Sequence, residues 1–363
     1  MGSEVIIYCY GAICASMLVF NILYNISLKN SEPRLKKRSG RIEERIKKQI
    51  EKIESGLNID ESHLDYITKK LRRVINIIAF DTAMKNIEDS FGSDRAKKYI
   101  EQIQPVFLPL ALVYFKKENM QAAYFASFLS KYRLRKNAGI DTVQDVMLDF
   151  MRKNSFYCRV NALEALYAFG SEENVAEAVS IQDENNAFFH EKVLTEGLLS
   201  FTGDHKKLIN ILWNKFDDFS EKTQLAVLNY IRFKTGDYCE KMYEIMNDKS
   251  KDKELRFSAI RYFGKYFYEP AKSVIMSFLS DKDTANWEYA AVSASALSRY
   301  GGEDVIKALK DALYSSNWYV RYNAAVSLEE RGLGYNDFND VISGGDRYAR
   351  DMILYRLSSK RPD

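Results

Sequence analysis

One helical phrase recurs along the chain and fixes what it can fold into. Cys158-Arg-Val-Asn-Ala-Leu-Glu-Ala-Leu-Tyr-Ala-Phe-Gly170 reads nearly in register with Val320-Arg-Tyr-Asn-Ala-Ala-Val-Ser-Leu-Glu-Glu-Arg-Gly332. Arg159, Asn161, Ala162, Leu166 and Gly170 match Arg321, Asn323, Ala324, Leu328 and Gly332. Apolar or small residues recur at i, i+4, i+5 and i+8, which is one face of a helix. The alanines admit a neighbouring helix at close range, and the closing glycine suits a left-handed C-terminal cap.

The phrase keeps a beat. Its first residue aligns with Cys158, His190, Thr223, Leu255, Tyr289 and Val320, at spacings of 32, 33, 32, 34 and 31. An atypical seventh unit runs from Ala349-Arg350 to Leu357. Ahead of each phrase lies another apolar helix: Val143–Met151, Val175–Ile181, Leu208–Phe216, Lys241–Met246, Ala271–Leu279 and Val305–Leu313. A repeated pair of short antiparallel helices with this period is an α-solenoid. The last unit is broken by Gly332, Gly334, Gly344 and Gly345, and its first helix shrinks to about Phe338–Ile342. End repeats face water on one side and depart from the pattern.

The phrase resembles the HEAT repeat in its short bacterial form. The matching pieces are Val320-Arg321, Ala324-Ala325, Leu328 and Gly332. A helix-starting Asp or Asn precedes the Arg by four residues in Asp252/Arg256, Asn317/Arg321 and Asp346/Arg350. The resemblance covers roughly residues 92–357, with Glu191 and Gln224 where two units would carry Arg. Tetratricopeptide repeats share a similar period, but their Trp, Leu-Gly and Tyr pattern is absent. The expected fold is all-α: a right-handed α-solenoid of antiparallel helix pairs preceded by one transmembrane helix.

Four regions follow. Residues 1–28 are the expected anchor: Val5–Ile26 carries no acid or base, and ten of its residues are Val, Ile, Leu or Phe. Twenty-two helical residues span about 33 Å, enough for a hydrocarbon core of about 30 Å. The alternatives are a cleaved signal peptide, which wants positive charge in front, or a buried core helix. The basic residues follow the segment, among them Lys36, Lys37, Arg38 and Arg41. That bias places the N-terminus outside and the repeats in the cytoplasm. The cluster either contacts anionic headgroups or only halts translocation. Residues 29–58 hold a linker, with Pro33 and Gly40, and an amphipathic helix with Ile42, Ile46, Ile50 and Ile53 on one stripe. That stripe could pair with a copy of itself or pack on the neighbouring domain. Residues 59–91 are the expected helical cap, and 92–363 the repeats.

Charge and chemistry narrow the function. Residues 1–91 hold 15 Lys/Arg against 12 Asp/Glu, and the remainder holds 38 of each. A neutral repeat region lacks the cationic excess that dominates phosphate-backbone affinity, so no nucleic acid is expected, although local patches could hide within the sum. The resemblance keeps that class open, since HEAT-like bacterial DNA glycosylases exist. It also admits HEAT-like lyases acting on tetrapyrroles and helical-repeat hydroxylases that use several His-Glu pairs at a metal. This chain has one such pair, His190-Glu191, and a metal site needs three or four ligands. No Walker loop, dinucleotide turn or nucleophile elbow occurs. Four cysteines without paired spacing suggest neither disulfides nor zinc. No cofactor is expected and no catalytic role assigned.

Binding remains. Aromatic residues gather near the starts of the second helices: Tyr157, Phe189, Trp287, Trp318, Tyr319, Tyr322 and Tyr348. Trp, Tyr and Arg carry most interface energy. The competing structural role has Trp287 stacked on Trp318 between units, and Arg159, Arg256, Arg321 and Arg350 laddered with Asp or Asn of neighbouring units. The expected function is a membrane-anchored cytoplasmic scaffold holding a protein partner. An envelope polysaccharide synthesis enzyme would suit the location.

Overall fold

The structure is a computed structural model. It describes the backbone of residues 3–132, 134, 138–184 and 190–358, and their side chains except 3–7, 9, 11, 22–31 and 138. Among the described residues all regular structure is helical. Contacts divide the chain into two compact units, residues 1–187 with 201–204, and residues 188–200 with 205–363.

The first unit holds α1 (Ser3–Glu54), α2 (Glu61–Leu71), α3 (Val74–Phe91), α4 (Ser93–Ile103), α5 (Phe107–Phe115), α6 (Asn119–Ser130), α7 (Ala138–Met151), α8 (Phe156–Phe169) and α9 (Glu172–Glu184). The expected linker at 29–41 is helical instead, because α1 runs on through Pro33 and Gly40. An interior proline removes one backbone bond and normally kinks or ends a helix. Here the turns that follow are held from outside. Ile42, Ile46 and Ile50 are buried, and this half of α1 lies against α3 and α4. Arg38 donates to Asn76 Oδ1 at 3.2 Å. The isoleucine stripe therefore packs on its own chain. Gly56, at φ 78°, ends the run, and Gln49 and Lys52 both donate to Asp60 across the turn.

The expected span 5–26 is helical within α1. Its side chains 5–7, 9, 11 and 22–26 lie outside the described residues. Among the described residues no helix is long and apolar enough to cross a membrane. Met17, Leu18, Val19 and Phe20 in this stretch are exposed.

The core of this unit is aromatic. Phe128 of α6 meets Phe80, Phe107 and Tyr132 edge-on at 5.7, 6.3 and 5.2 Å between ring centres. Tyr114 stacks on Phe125 at 4.6 Å and donates its hydroxyl to Leu71 O. Buried His63 holds Tyr99 through Nε2 at 2.8 Å. Burial, and secondarily the charge of Arg45, lower the His63 pKa from 6.5 to about 4. The unfolded chain thus takes up a proton below pH 6.5 that the folded chain refuses. Stability is lost as pH falls from about 6.5 to 4 and levels off below. We expect a loss of about 2 kcal/mol between pH 7 and pH 5, read from urea midpoints, and a flatter profile for His63→Gln.

The second unit holds α10 (Glu191–Ser200), α11 (His205–Asn214), α12 (Glu221–Lys234), α13 (Cys239–Asn247), α14 (Lys253–Phe263), α15 (Glu269–Leu279), α16 (Trp287–Ala296), α17 (Glu303–Ala312), α18 (Trp318–Glu330), α19 (Asn339–Ile342) and α20 (Arg347–Ser358). The second helices α10, α12, α14, α16, α18 and α20 pack side by side in that order, while α13, α15 and α17 each lie on the helix that follows. The pairs are those the sequence spacing predicts.

The repeated residues do repeated jobs. Asn161 Nδ2 donates to Ala123 O at 3.0 Å, and Asn323 Nδ2 to Ala291 O at 2.8 Å. Ser327 adds a bond to Ala294 O at 2.7 Å. These rungs tie one second helix to the backbone of the preceding one. Ala162 and Ala324, beside them, are fully buried. Ala324→Leu overpacks this seam, and we expect it to cost about 1–3 kcal/mol in thermal unfolding. Exposed Glu164→Gln should change stability by less than about 0.5 kcal/mol.

The arginines do not form the expected ladder with Asp or Asn. Arg159 donates to Lys153 O, Arg256 to Met246 O and Arg321 to Ser315 O, at 3.1, 3.1 and 2.5 Å. Each acceptor sits at or just beyond the end of the preceding first helix. There orphaned carbonyls and the negative end of the dipole favour a cation. Gln224, where Arg would stand, does the same to Phe216 O at 2.9 Å. Arg350 instead lies 3.7 Å from Asp351. The helix-starting residues cap as expected. Asp252, Asn317 and Asp346 accept from the backbone of Glu254, Tyr319 and Ala349 at 2.8–2.9 Å.

The two closing glycines differ. Gly332 is left-handed at φ 79°. Gly170 is not, at φ −70°. A Cβ there would stand 2.5 Å from Leu166 O, so close approach, not handedness, excludes a side chain.

Candidate interaction site: an aromatic face on the last repeats

α16, α18 and α20 lie side by side in the second unit. Their helix starts bring several of the expected aromatics together. Trp287 stacks on Tyr319 at 5.7 Å, and Trp318 stacks on Tyr322 at 4.9 Å with its edge toward Tyr319. The expected Trp287–Trp318 stack is thus replaced by two Trp–Tyr stacks. The reason is register: Tyr319 faces α16, while Tyr322, one turn on from Trp318, shares its face with it.

Exposure separates structural from available rings. Trp287 and Tyr322 are half-buried. Trp318 is 50% exposed, Tyr319 56% and Tyr348 69%. Trp318, Tyr322, Tyr348 and Tyr355 line a groove of about 500 Å³ with Arg321, Asp351 and Met352. Tyr348, Met352 and Tyr355 follow one another at i, i+4 and i+7 along α20, a spacing visible in the sequence.

The floor of the groove is braced. Arg356 grips Glu329 through Nε at 2.7 Å and Nη2 at 2.6 Å. Its guanidinium also lies 5.5 Å from the Tyr322 ring centre and reaches the Tyr322 hydroxyl at 3.4 Å. Arg321, held on Ser315 O, lies 5.3 Å from the Tyr348 ring. Asp351 is occupied by Arg347 at 3.3 Å. The lining is therefore mainly apolar, with Tyr322 braced by Arg356. It can receive an apolar or aromatic side chain.

The other candidates do not line this groove. Tyr157 belongs to the first unit, exposed on α8 and edge-on to Phe156 at 5.8 Å. Phe189 lies outside the described residues. Lys36, Lys37, Arg38 and Arg41 are exposed on α1. His190 Nδ1 stands 3.3 Å from Glu191, and among the described residues no three His, Cys, Asp or Glu side chains are placed to hold a metal ion. His205 instead bonds Tyr230 at 2.6 Å.

Comparison with curated proteins gives no match. Residues 208–332, which run from α11 through α18 and carry most of these repeated features, match the family of HEAT repeats.

Proposed function

We propose that the protein is a scaffold that holds a protein partner against the aromatic face of α18 and α20. The observation that carries this reading is the grouping of exposed Trp318, Tyr348 and Tyr355 around one braced groove. Large exposed apolar surface costs solubility and marks interaction sites. HEAT repeats, matched over residues 208–332, commonly mediate protein–protein contacts. The reading assigns the chain no catalytic role. Capture of proteins from detergent-solubilised membranes by the intact tagged chain tests it. Equal capture by a Trp318→Ala/Tyr348→Ala variant would remove this face from the reading.

The scaffold reading includes an anchor. Val5–Ile26 is uncharged and apolar, and the basic residues follow it, which supports a single span with the repeats in the cytoplasm. A membrane-bound partner, such as an envelope polysaccharide synthesis enzyme, suits that placement. Deleting residues 1–28 should release the protein from the membrane fraction. A reporter fused after Asp363 should be active only in the cytoplasm. Persistent membrane binding of the deletion in high salt, or activity of a periplasmic reporter, would defeat the anchor.

A further inference from the structure

The repeat region is neutral by count, but its charges are not evenly spread. Where α12, α14, α16 and α18 end, a second groove of about 770 Å³ crosses all four helices. Its charged lining is Arg232, Arg261, Lys265 and Arg299 against the single carboxylate Glu330, with Phe233 half exposed beside them. None of the four cations has a carboxylate within ion-pair distance among the described residues. By contrast, Lys253, Lys272 and Lys310 each pair with an acid one repeat on.

The cations are placed at a cost. Arg232 is half-buried, its Nε is buried without a hydrogen-bond partner, and no described group accepts from its guanidinium. Burial, then the like charge of Arg261, lower its pKa. The guanidinium lies 4.9 Å from the Phe233 ring centre, and its half-exposed donors remain open to solvent or to an acceptor brought by a ligand. Lys265 donates to the carbonyls of Arg232 and Phe233 at 3.2 and 3.1 Å, which fixes its charge at the groove wall.

We propose that this groove binds an extended acidic segment of a protein partner. Side-by-side helices at about 8–10 Å put four of them across roughly 24–30 Å. About eight residues of extended chain, at about 3.3 Å each, cover that distance. Neighbouring cations then meet about every third residue of the segment. Arginine forks match carboxylates in pairs of parallel bonds, and Phe233 offers an apolar contact between them. Glu330 disfavours an unbroken polyanion at one end, whereas a segment with spaced carboxylates can set a neutral residue there. The proposal rests on the scaffold reading only for its ligand class, a protein. It adds a surface separate from Trp318 and Tyr348.

The test uses the full chain and a fluorescein-labelled peptide of about eight residues with a glutamate at every third position. Its controls are the same peptide with glutamine and a short DNA duplex. The acidic peptide should bind, weaken as salt rises from about 0.05 to 0.3 M, and outcompete both controls. Arg261→Glu with Arg299→Glu, both exposed, should weaken it at least about tenfold, or 1.4 kcal/mol, with helicity unchanged. Arg261→Gln alone should lower peptide affinity while leaving the melting temperature unchanged or higher, since it relieves the repulsion on Arg232. Equal binding of the glutamine peptide, no binding of the acidic one, no effect of the reversal, or tighter retention of the duplex would each overturn the proposal. So would a melting temperature that falls with affinity in Arg261→Gln. Trp318→Ala should leave peptide binding intact, which separates failure here from failure at the aromatic face.

Discussion

Phe128→Ala is expected to destabilise the first unit by about 3–5 kcal/mol. Phe128 is almost fully buried. Its ring meets Phe80 from α3, Phe107 from α5 and Phe125 from its own helix. Removing it leaves a cavity lined by large rigid rings, which cannot collapse as flexible side chains would. The Tyr114–Phe125 stack beside it also loses support. In a unit of this size the change corresponds to a melting temperature lower by about 6–20 °C. Leu112→Ala, on the preceding helix α5 but 52% exposed, should shift it by no more than about 2 °C. Similar midpoints for the two variants would mean that the aromatic cluster is not the core of this unit.

The same contrast of buried and exposed residues explains what could be read from the sequence. Helical pairs were legible because the 3.6-residue period of each phrase and the beat of 31–34 residues between phrases agree. Cys158, Thr223, Leu255 and Val320 all fall in or just inside second helices, and Asp252, Asn317 and Asp346 cap them. Legibility stopped where partners are chosen by three-dimensional neighbourhood. Arg321 could reach an acid or a carbonyl with equal chemistry; only the end of α17 beside it decides for Ser315 O. Pro33 reads as a break by local rule, yet α1 continues because Ile42, Ile46 and Ile50 anchor the turns beyond it on α3. Gly170 and Gly332 look alike in sequence and are required for different reasons.

The candidate sites were legible to different degrees for a related reason. Aromatics at helix starts announce themselves singly, so Trp318, Tyr319 and Tyr348 could be named. Their pairings could not, because Trp287 and Tyr319 stand one repeat apart. The cationic groove was hidden by summation. Arg232, Lys265 and Arg299 each follow a phrase start by nine or ten residues. Overlaying the repeats shows what a net charge of zero conceals.

Replacing Trp318 and Tyr348 by alanine is expected to reduce partner capture at least about thirtyfold, the equivalent of 2 kcal/mol or more for truncating an anchor ring. The two rings are more than half solvated or close to it, so neither carries much folding energy. Trp318 forfeits its stack on Tyr322, worth about 0.5–1.5 kcal/mol beyond burial, and helicity should survive. Tyr322 is a poorer choice. It is half-buried and tied to Arg356, which in turn holds buried Glu329. Its truncation would loosen that pair and confuse folding with binding. Tyr322→Phe keeps the stack and removes only the hydroxyl contact, so it should preserve capture. Tyr319→Ala probes the neighbouring seam, where its ring covers Trp287. If Tyr319→Ala abolishes capture while Trp318→Ala and Tyr348→Ala do not, the partner sits on α16 and α18, and the groove beside α20 is not its seat. Loss in the Trp318/Tyr348 variant at unchanged melting temperature, with Tyr319→Ala near neutral, places the contact on α18 and α20. Trp318 then contributes affinity from a ring already stacked on Tyr322.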